Sequence, residues 1–133
     1  MTPTEDNHAE RPSERITDAE HAVMEALWDR PRQTAAEVCE LVCTRRGWSL
    51  ATVKTLLSRL VQKGVIAAEP DGRRFLYTPI IAREEYVGGE SRRLVDRLFG
   101  GRAASLVAHL AENEALSEAD LQEIEALLKE LRP

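Results

Sequence analysis

Apolar residues recur along this chain at helical spacing in several separate stretches. Between Ser49 and Thr78 they fall at Leu50, Val53, Leu56, Leu57, Leu60 and Val61, positions that stack on one side of an α-helix. The other side carries Thr52, Lys54, Thr55, Ser58, Arg59, Gln62 and Lys63, all hydrogen-bond formers or cations and none acidic. Two similar stripes precede it. Val23, Met24, Leu27 and Trp28 form one, opened by a capping box from Thr17 to Glu20 and stopped at Pro31. Ala35, Val38, Leu41 and Val42 form the next, opened by a second box from Thr34 to Glu37 and ended at Gly47. Ser49 caps the third helix, and Gly64 stands where a left-handed residue closes it. Val65 to Glu69 and Arg73 to Thr78 are short β-prone runs around the turn Pro70-Asp71-Gly72. A lone hairpin is marginal in water, so this one is expected to pack on the helices through Val65, Ile66, Phe75 and Tyr77.

Three helices followed at once by a small basic hairpin predict a mainly α fold, a winged helix-turn-helix. Beyond Pro79 the pattern is helical alone. Tyr86, Val87, Leu94, Val95, Leu98 and Phe99 give one stripe, with Gly88-Gly89 and Gly100-Gly101 read as helix breaks. Ala103, Leu106, Val107 and Leu110 give another, and a last helix capped by Ser117 carries Leu121, Ile124, Leu127, Leu128 and Leu131. These elements are too few and too short to bury their own apolar faces, which predicts pairing with a second copy. The expected dimer residues are Leu94, Leu98, Leu106, Leu110, Leu121, Ile124, Leu128 and Leu131. The predicted organisation is a flexible polar arm over 1–15, a winged-helix DNA-binding domain over 16–79 and a helical dimerisation domain over 80–133.

A formal net charge of −5 over 133 residues argues against nucleic acid until its distribution is considered. From Pro31 to Pro79 there are eight cations against four acids, net +4, and from Gly101 onward three against seven, net −4. The middle is suited to phosphate while the acidic end faces away. Thr34, Ser49, Thr52, Lys54, Thr55, Ser58, Arg59, Arg73 and Arg74 are the expected DNA contacts. A protein-interaction module would instead call for an apolar or acidic third-helix face.

Other chemistry has little support. Cys39 and Cys43 are the only cysteines, one helical turn apart, and read as partly buried free thiols rather than a disulfide framework. With two thiolates alone and His8, His21 and His109 at no motif spacing, no metal site is expected. The histidines read as surface residues, and Trp28 and Trp48 as rings sealing a small core. There is no nucleophile with a paired base, no carboxylate cluster and no glycine-rich phosphate loop, so neither an enzyme nor a cofactor is predicted. No apolar run is long enough to span a bilayer and the amino terminus lacks a secretory pattern, which predicts a cytoplasmic protein without membrane insertion.

Four segments in order carry a resemblance: ITDAEHAVMEALW from Ile16, TAAEV from Thr34, GWSLATVKTLLSRLVQKGVI from Gly47, and GRRFLYTP from Gly72. Over about Ile16 to the carboxyl terminus the chain resembles the penicillinase-repressor family, the BlaI/MecI/CopY type of bacterial regulators. The resemblance implies a homodimeric repressor on a palindromic operator, its third helix in the major groove, controlling β-lactam-response or related stress genes. Copper-responsive relatives carry Cys-x-Cys motifs near the carboxyl terminus, and here no cysteine follows Cys43, which opposes a metal-responsive repressor of that type. In β-lactam-responsive relatives a membrane sensor protease cuts an Asn-Phe bond in the dimer region. The corresponding segment, SLVAHL from Ser105, offers His109-Leu110 as the expected cleavage point.

Overall fold

The computed structural model describes residues 15–132; all of the predicted arm over 1–15 except Arg15, His8 included, lies outside the described residues. Six helices and one hairpin follow in the order α1 (Asp18–Asp29), α2 (Ala35–Arg46), α3 (Leu50–Gln62), β1 (Ile66–Asp71), β2 (Arg74–Pro79), α4 (Arg83–Phe99), α5 (Ala103–Glu112) and α6 (Glu118–Leu131). They fall into two compact units, one up to Tyr86 and one from Val87.

In the first unit the sequence stripes become a shared core. Val23, Met24 and Leu27 of α1, Val38 and Val42 of α2, Val53, Leu56, Leu57 and Leu60 of α3, and Ile66 of β1 are all buried together. The helices start where their caps dictate. Thr17 accepts from the Glu20 amide while Glu20 accepts from the Thr17 amide, and Thr34 and Glu37 repeat the exchange. Each box satisfies donors that the first turn leaves without intrahelical partners. Gly47 and Gly64, at φ +71° and +79°, occupy the left-handed region at the ends of α2 and α3, where a Cβ would be strained.

The hairpin pairs Ile66 with Pro79 through Asp71 with Arg74 in antiparallel register. Pro70 and Asp71 therefore belong to β1, and the loop is Gly72-Arg73, with Gly72 at φ +67° where a two-residue loop needs a positive value. The wing is also tied to the helices through backbone. Gln33 and Tyr77 exchange amide-to-carbonyl bonds of 3.1 and 2.8 Å, an isolated bridge just before α2. Gln33 itself is buried, its side-chain amide donating to the carbonyls of Ala26 and Arg30.

Several expectations need correction. Leu50 and Val61, placed on the buried side of α3, are exposed, because they sit at the margins of a stripe centred on Val53, Leu57 and Leu60. Phe75 is 48% exposed: it shares a face of β2 with Tyr77, their rings 6.4 Å apart, but it stands nearer the hairpin loop and only Tyr77 packs against the core. Lys63 is drawn inward: its Nζ donates to Glu20 Oε1 at 2.5 Å and to the Arg15 carbonyl at 2.7 Å. Glu20 is 1% exposed, so the pair neutralises a carboxylate in the core. Burial alone would push that carboxyl up, but the hydrogen bonds from Lys63 and the Thr17 amide, with the Lys63 charge, outweigh it and hold Glu20 below its ordinary 4.5. Cys39 and Cys43 are not free thiols but form a disulfide, their sulfurs meeting on one side of α2 with Cα atoms 4.8 Å apart.

At the start of α4, Arg83 Nε bonds both carboxylate oxygens of Glu25 at 3.1 and 3.3 Å, and Trp28 Nε1 donates to the Ile81 carbonyl at 2.9 Å. The Tyr86 ring lies 5.5 Å from both the His21 and the Trp28 rings. His21 also meets Glu25 at 3.1 Å, so it is no bare surface histidine.

The second unit contains the rest of α4, then α5 and α6. Gly88-Gly89 do not break α4, which runs through them; glycine weakens a helix by about 1 kcal/mol per residue without forbidding it. Gly100 and Gly101, at φ +59° and +83°, do end it. Ser117 and Asp120 form a third capping box at α6. None of α4, α5 and α6 contains a buried residue, and Leu98, Leu121, Leu127, Leu128 and Leu131 remain exposed.

Candidate nucleic-acid interface

The reading face of α3 follows from its core stripe. With Val53, Leu56, Leu57 and Leu60 turned inward, Lys54, Thr55, Ser58 and Arg59 are exposed and Thr52 is half-buried. At the amino end Ser49 Oγ accepts from the Thr52 amide at 3.2 Å and lies 3.3 Å from the Thr52 hydroxyl. Thr55 donates its hydroxyl to the Ala51 carbonyl at 3.1 Å, which leaves its oxygen lone pairs outward as acceptors.

The face is divided in two. Lys54 and Ser58, with the exposed Leu50 one turn earlier, line a cleft shared with the start of α2 and with Arg73, Arg74 and Phe75 of the wing. Thr34 belongs to this cleft, whereas Ser49, Thr52, Thr55 and Arg59 do not line it. Thr34 is nearly buried and its hydroxyl is engaged with Glu37, both as acceptor from the amide and as donor to Oε1. The Thr34 amide bond is the main reason that the exposed Glu37 carboxyl lies below its usual range; the charges of Arg30 and Arg74 add to it.

The cations differ in availability. Arg74 is held by Asp71 at 3.2 Å and Arg32 by Glu69 at 3.4 Å, both in exposed pairs of small energetic consequence. Among the described residues no ion-pair partner is found for Lys54, Arg59 or Arg73, so their charges are open to an outside anion. Arg46 instead lies over the Trp48 ring, 5.3 Å from its centre. Sequence reasoning missed Leu50 and Phe75 in this surface, because apolar residues at those spacings read as core.

The interface has no acidic side chain among its α3 contacts, unpaired cations on both helix and wing, and a helix that shares a cleft with a hairpin. Helix-turn-helix proteins place such a helix in the major groove. Comparison with known proteins agrees. The family model for penicillinase repressors matches residues 16–130. The penicillinase repressor of Bacillus licheniformis is 33% identical over 115 residues, covering 86% of this chain and 90% of that one. The transcriptional regulator BlaI of Mycobacterium tuberculosis is 38% identical over 123 residues, covering 84% of this chain and 86% of that one. The solution structure of the DNA-binding domain of the repressor BlaI superposes with a TM-score of 0.51 at 34% identity, covering 58% of this chain and 94% of that domain. The chain belongs to the penicillinase-repressor family, the BlaI/MecI group of DNA-binding transcriptional repressors, and is not an enzyme.

Proposed function

We propose that this repressor acts in the cytoplasm as a homodimer on a palindromic operator, with one winged helix per half-site. The observation that carries this reading is the α3 face, where Lys54, Thr55, Ser58 and Arg59 stand exposed without an acid among them. Thr52 and Thr55 read base edges, Ser49 holds Thr52 in place, and Lys54, Ser58 and Arg59 take phosphates together with Arg73 and Arg74 of the wing. Thr34 contributes by fixing the amino end of α2 through its cap. The 16–79 segment is the DNA-binding domain and 80–133 the dimerising one, through Leu94, Leu98, Leu106, Leu110, Leu121, Ile124, Leu128 and Leu131. Among the described residues no helix is long and apolar enough to cross a membrane. Induction by a membrane sensor protease would cut at His109-Leu110, on α5, where His109 is exposed.

The test compares affinity for the cognate promoter fragment with that for scrambled DNA. Thr52→Ala and Thr55→Ala should lose discrimination, by up to about 1 kcal/mol for a single hydroxyl contact. Arg59→Ala should weaken both DNAs alike and flatten the salt dependence, whose logarithmic slope is about −0.9 for each phosphate neutralised. Unchanged binding of both DNAs by the Thr52 and Thr55 variants would remove α3 as the reader.

A further inference from the structure

The cleft between α3 and the wing is built for more than a phosphodiester. It encloses about 440 Å³, inside the range of small-molecule sites. Its walls are of two kinds. Leu50, Phe75 and Tyr77 supply an apolar side, while Lys54, Arg73 and Arg74 supply cations. A phosphate oxyanion is satisfied by donors and gains nothing from apolar walls; leaving Leu50 and Phe75 39% and 48% exposed, by contrast, keeps apolar area in water that an organic occupant would cover. Of the three cations only Arg74 is already paired, so Lys54 and Arg73 can meet a carboxylate without breaking an internal bond. The nearby acid, Glu37, has its carboxylate bound to the Thr34 amide at the cap of α2.

We propose that this cleft is a regulatory site for an amphipathic organic monoanion, an aromatic carboxylate, whose apolar body lies against Leu50, Phe75 and Tyr77 and whose carboxylate meets Lys54 and Arg73. Because Lys54 also stands on the reading face, occupation neutralises a charge that DNA needs and fills the space between helix and wing. The competition with DNA rests on the repressor reading above; the binding itself does not.

The experiment titrates the full-length, isotope-labelled protein with benzoate, acetate, sulfate and benzyl alcohol at constant ionic strength, following amide resonances. Benzoate should give saturable shifts concentrated at Leu50, Lys54, Phe75 and Tyr77, at an affinity roughly tenfold or more above that of the other three probes. Phe75→Ala and Lys54→Gln should each weaken benzoate several-fold with the melting temperature retained. Equal response to acetate or sulfate would reduce the cleft to a phosphate seat, equal response to benzyl alcohol would remove the role of the cations, and absent or scattered shifts would remove the site; each overturns the proposal. Fluorescence anisotropy on a labelled promoter fragment then separates the two readings. Saturating benzoate should weaken DNA binding about tenfold. Benzoate bound with DNA affinity unchanged overturns the regulatory role, whereas no specific DNA binding in its absence is a failure of the repressor reading and leaves the amide titration to decide the site.

Discussion

In the unit up to Tyr86, leucines and valines from three crossing helices reach zero exposure, and a hairpin adds Ile66 to the same centre. In the unit from Val87, helices with the same apolar periodicity bury nothing completely, and Leu121, Leu127, Leu128 and Leu131 of α6 stay at or near half exposure or beyond. The difference is not one of composition. Periodic apolar residues make a helix amphipathic, but only several such faces converging on one volume exclude water. Contiguous apolar surface left on a small unit marks an association site, which is why a second copy is the occupant proposed for it.

The sharpest way to break this comparison is to truncate one leucine on each side. Leu57→Ala, at 0% exposure, should cost about 3 kcal/mol of unfolding free energy by denaturant titration, through lost transfer energy and the cavity left behind. Leu128→Ala, at 54% exposure, should cost under about 1 kcal/mol at protein dilutions where the chain is monomeric, yet weaken self-association in sedimentation. Similar losses for both variants in the monomer would show that the second unit has its own core after all.

The ion pair beneath α3 offers a test of comparable size. Glu20→Ala leaves Lys63, whose side chain is 17% exposed, without its counter-charge and should cost about 3 kcal/mol. The pH dependence has a definite sign. A carboxyl held below its unfolded value contributes stability that is present above that value and is lost as the pH falls through the lowered one. Thermal unfolding of the wild type should therefore show a loss in the acid limb that Glu20→Gln flattens.

Smaller still are the caps. Thr34→Ala and Ser117→Ala each remove a capping box and should each cost about 1 kcal/mol. The first should lower the main unfolding transition, since α2 is welded into the core, and the second should chiefly fray α6, seen as a loss of helical signal before that transition. Identical effects on the main transition would mean that the two units unfold as one.

Much of the first unit could be read along the chain because its determinants are local. Stripes at Val23, Val38 and Val53, boxes at Thr17 and Thr34, and glycines at Gly47 and Gly64 each act within one or two helical turns. What escaped was set by partners far off in sequence. Lys63 looks like one more cation on a polar face until Glu20, 43 residues earlier, is brought beneath it. Gln33 gives no sign that it will pair its backbone with Tyr77, and Phe75 none that it will line the α3 cleft while Tyr77, on the same face of β2, reaches the core. Gly88 and Gly89 signal a break whose cost the surrounding helix absorbs. Of the interface, the side chains of α3 were legible as a face; its division into a cleft beside the wing and an open edge was not.

The Cys39–Cys43 bond can be weighed in terms of the unfolded chain. A cross-link restricts the denatured ensemble in proportion to the logarithm of the loop it closes, and this one joins residues only four apart. Their turn of α2 is held in any case by main-chain hydrogen bonds and by Val38 and Val42 in the core. Little conformational freedom is therefore removed that helix formation does not remove already. Thioredoxin or glutathione opening the bond would change the chemistry of one helix face while the architecture of the first unit persisted.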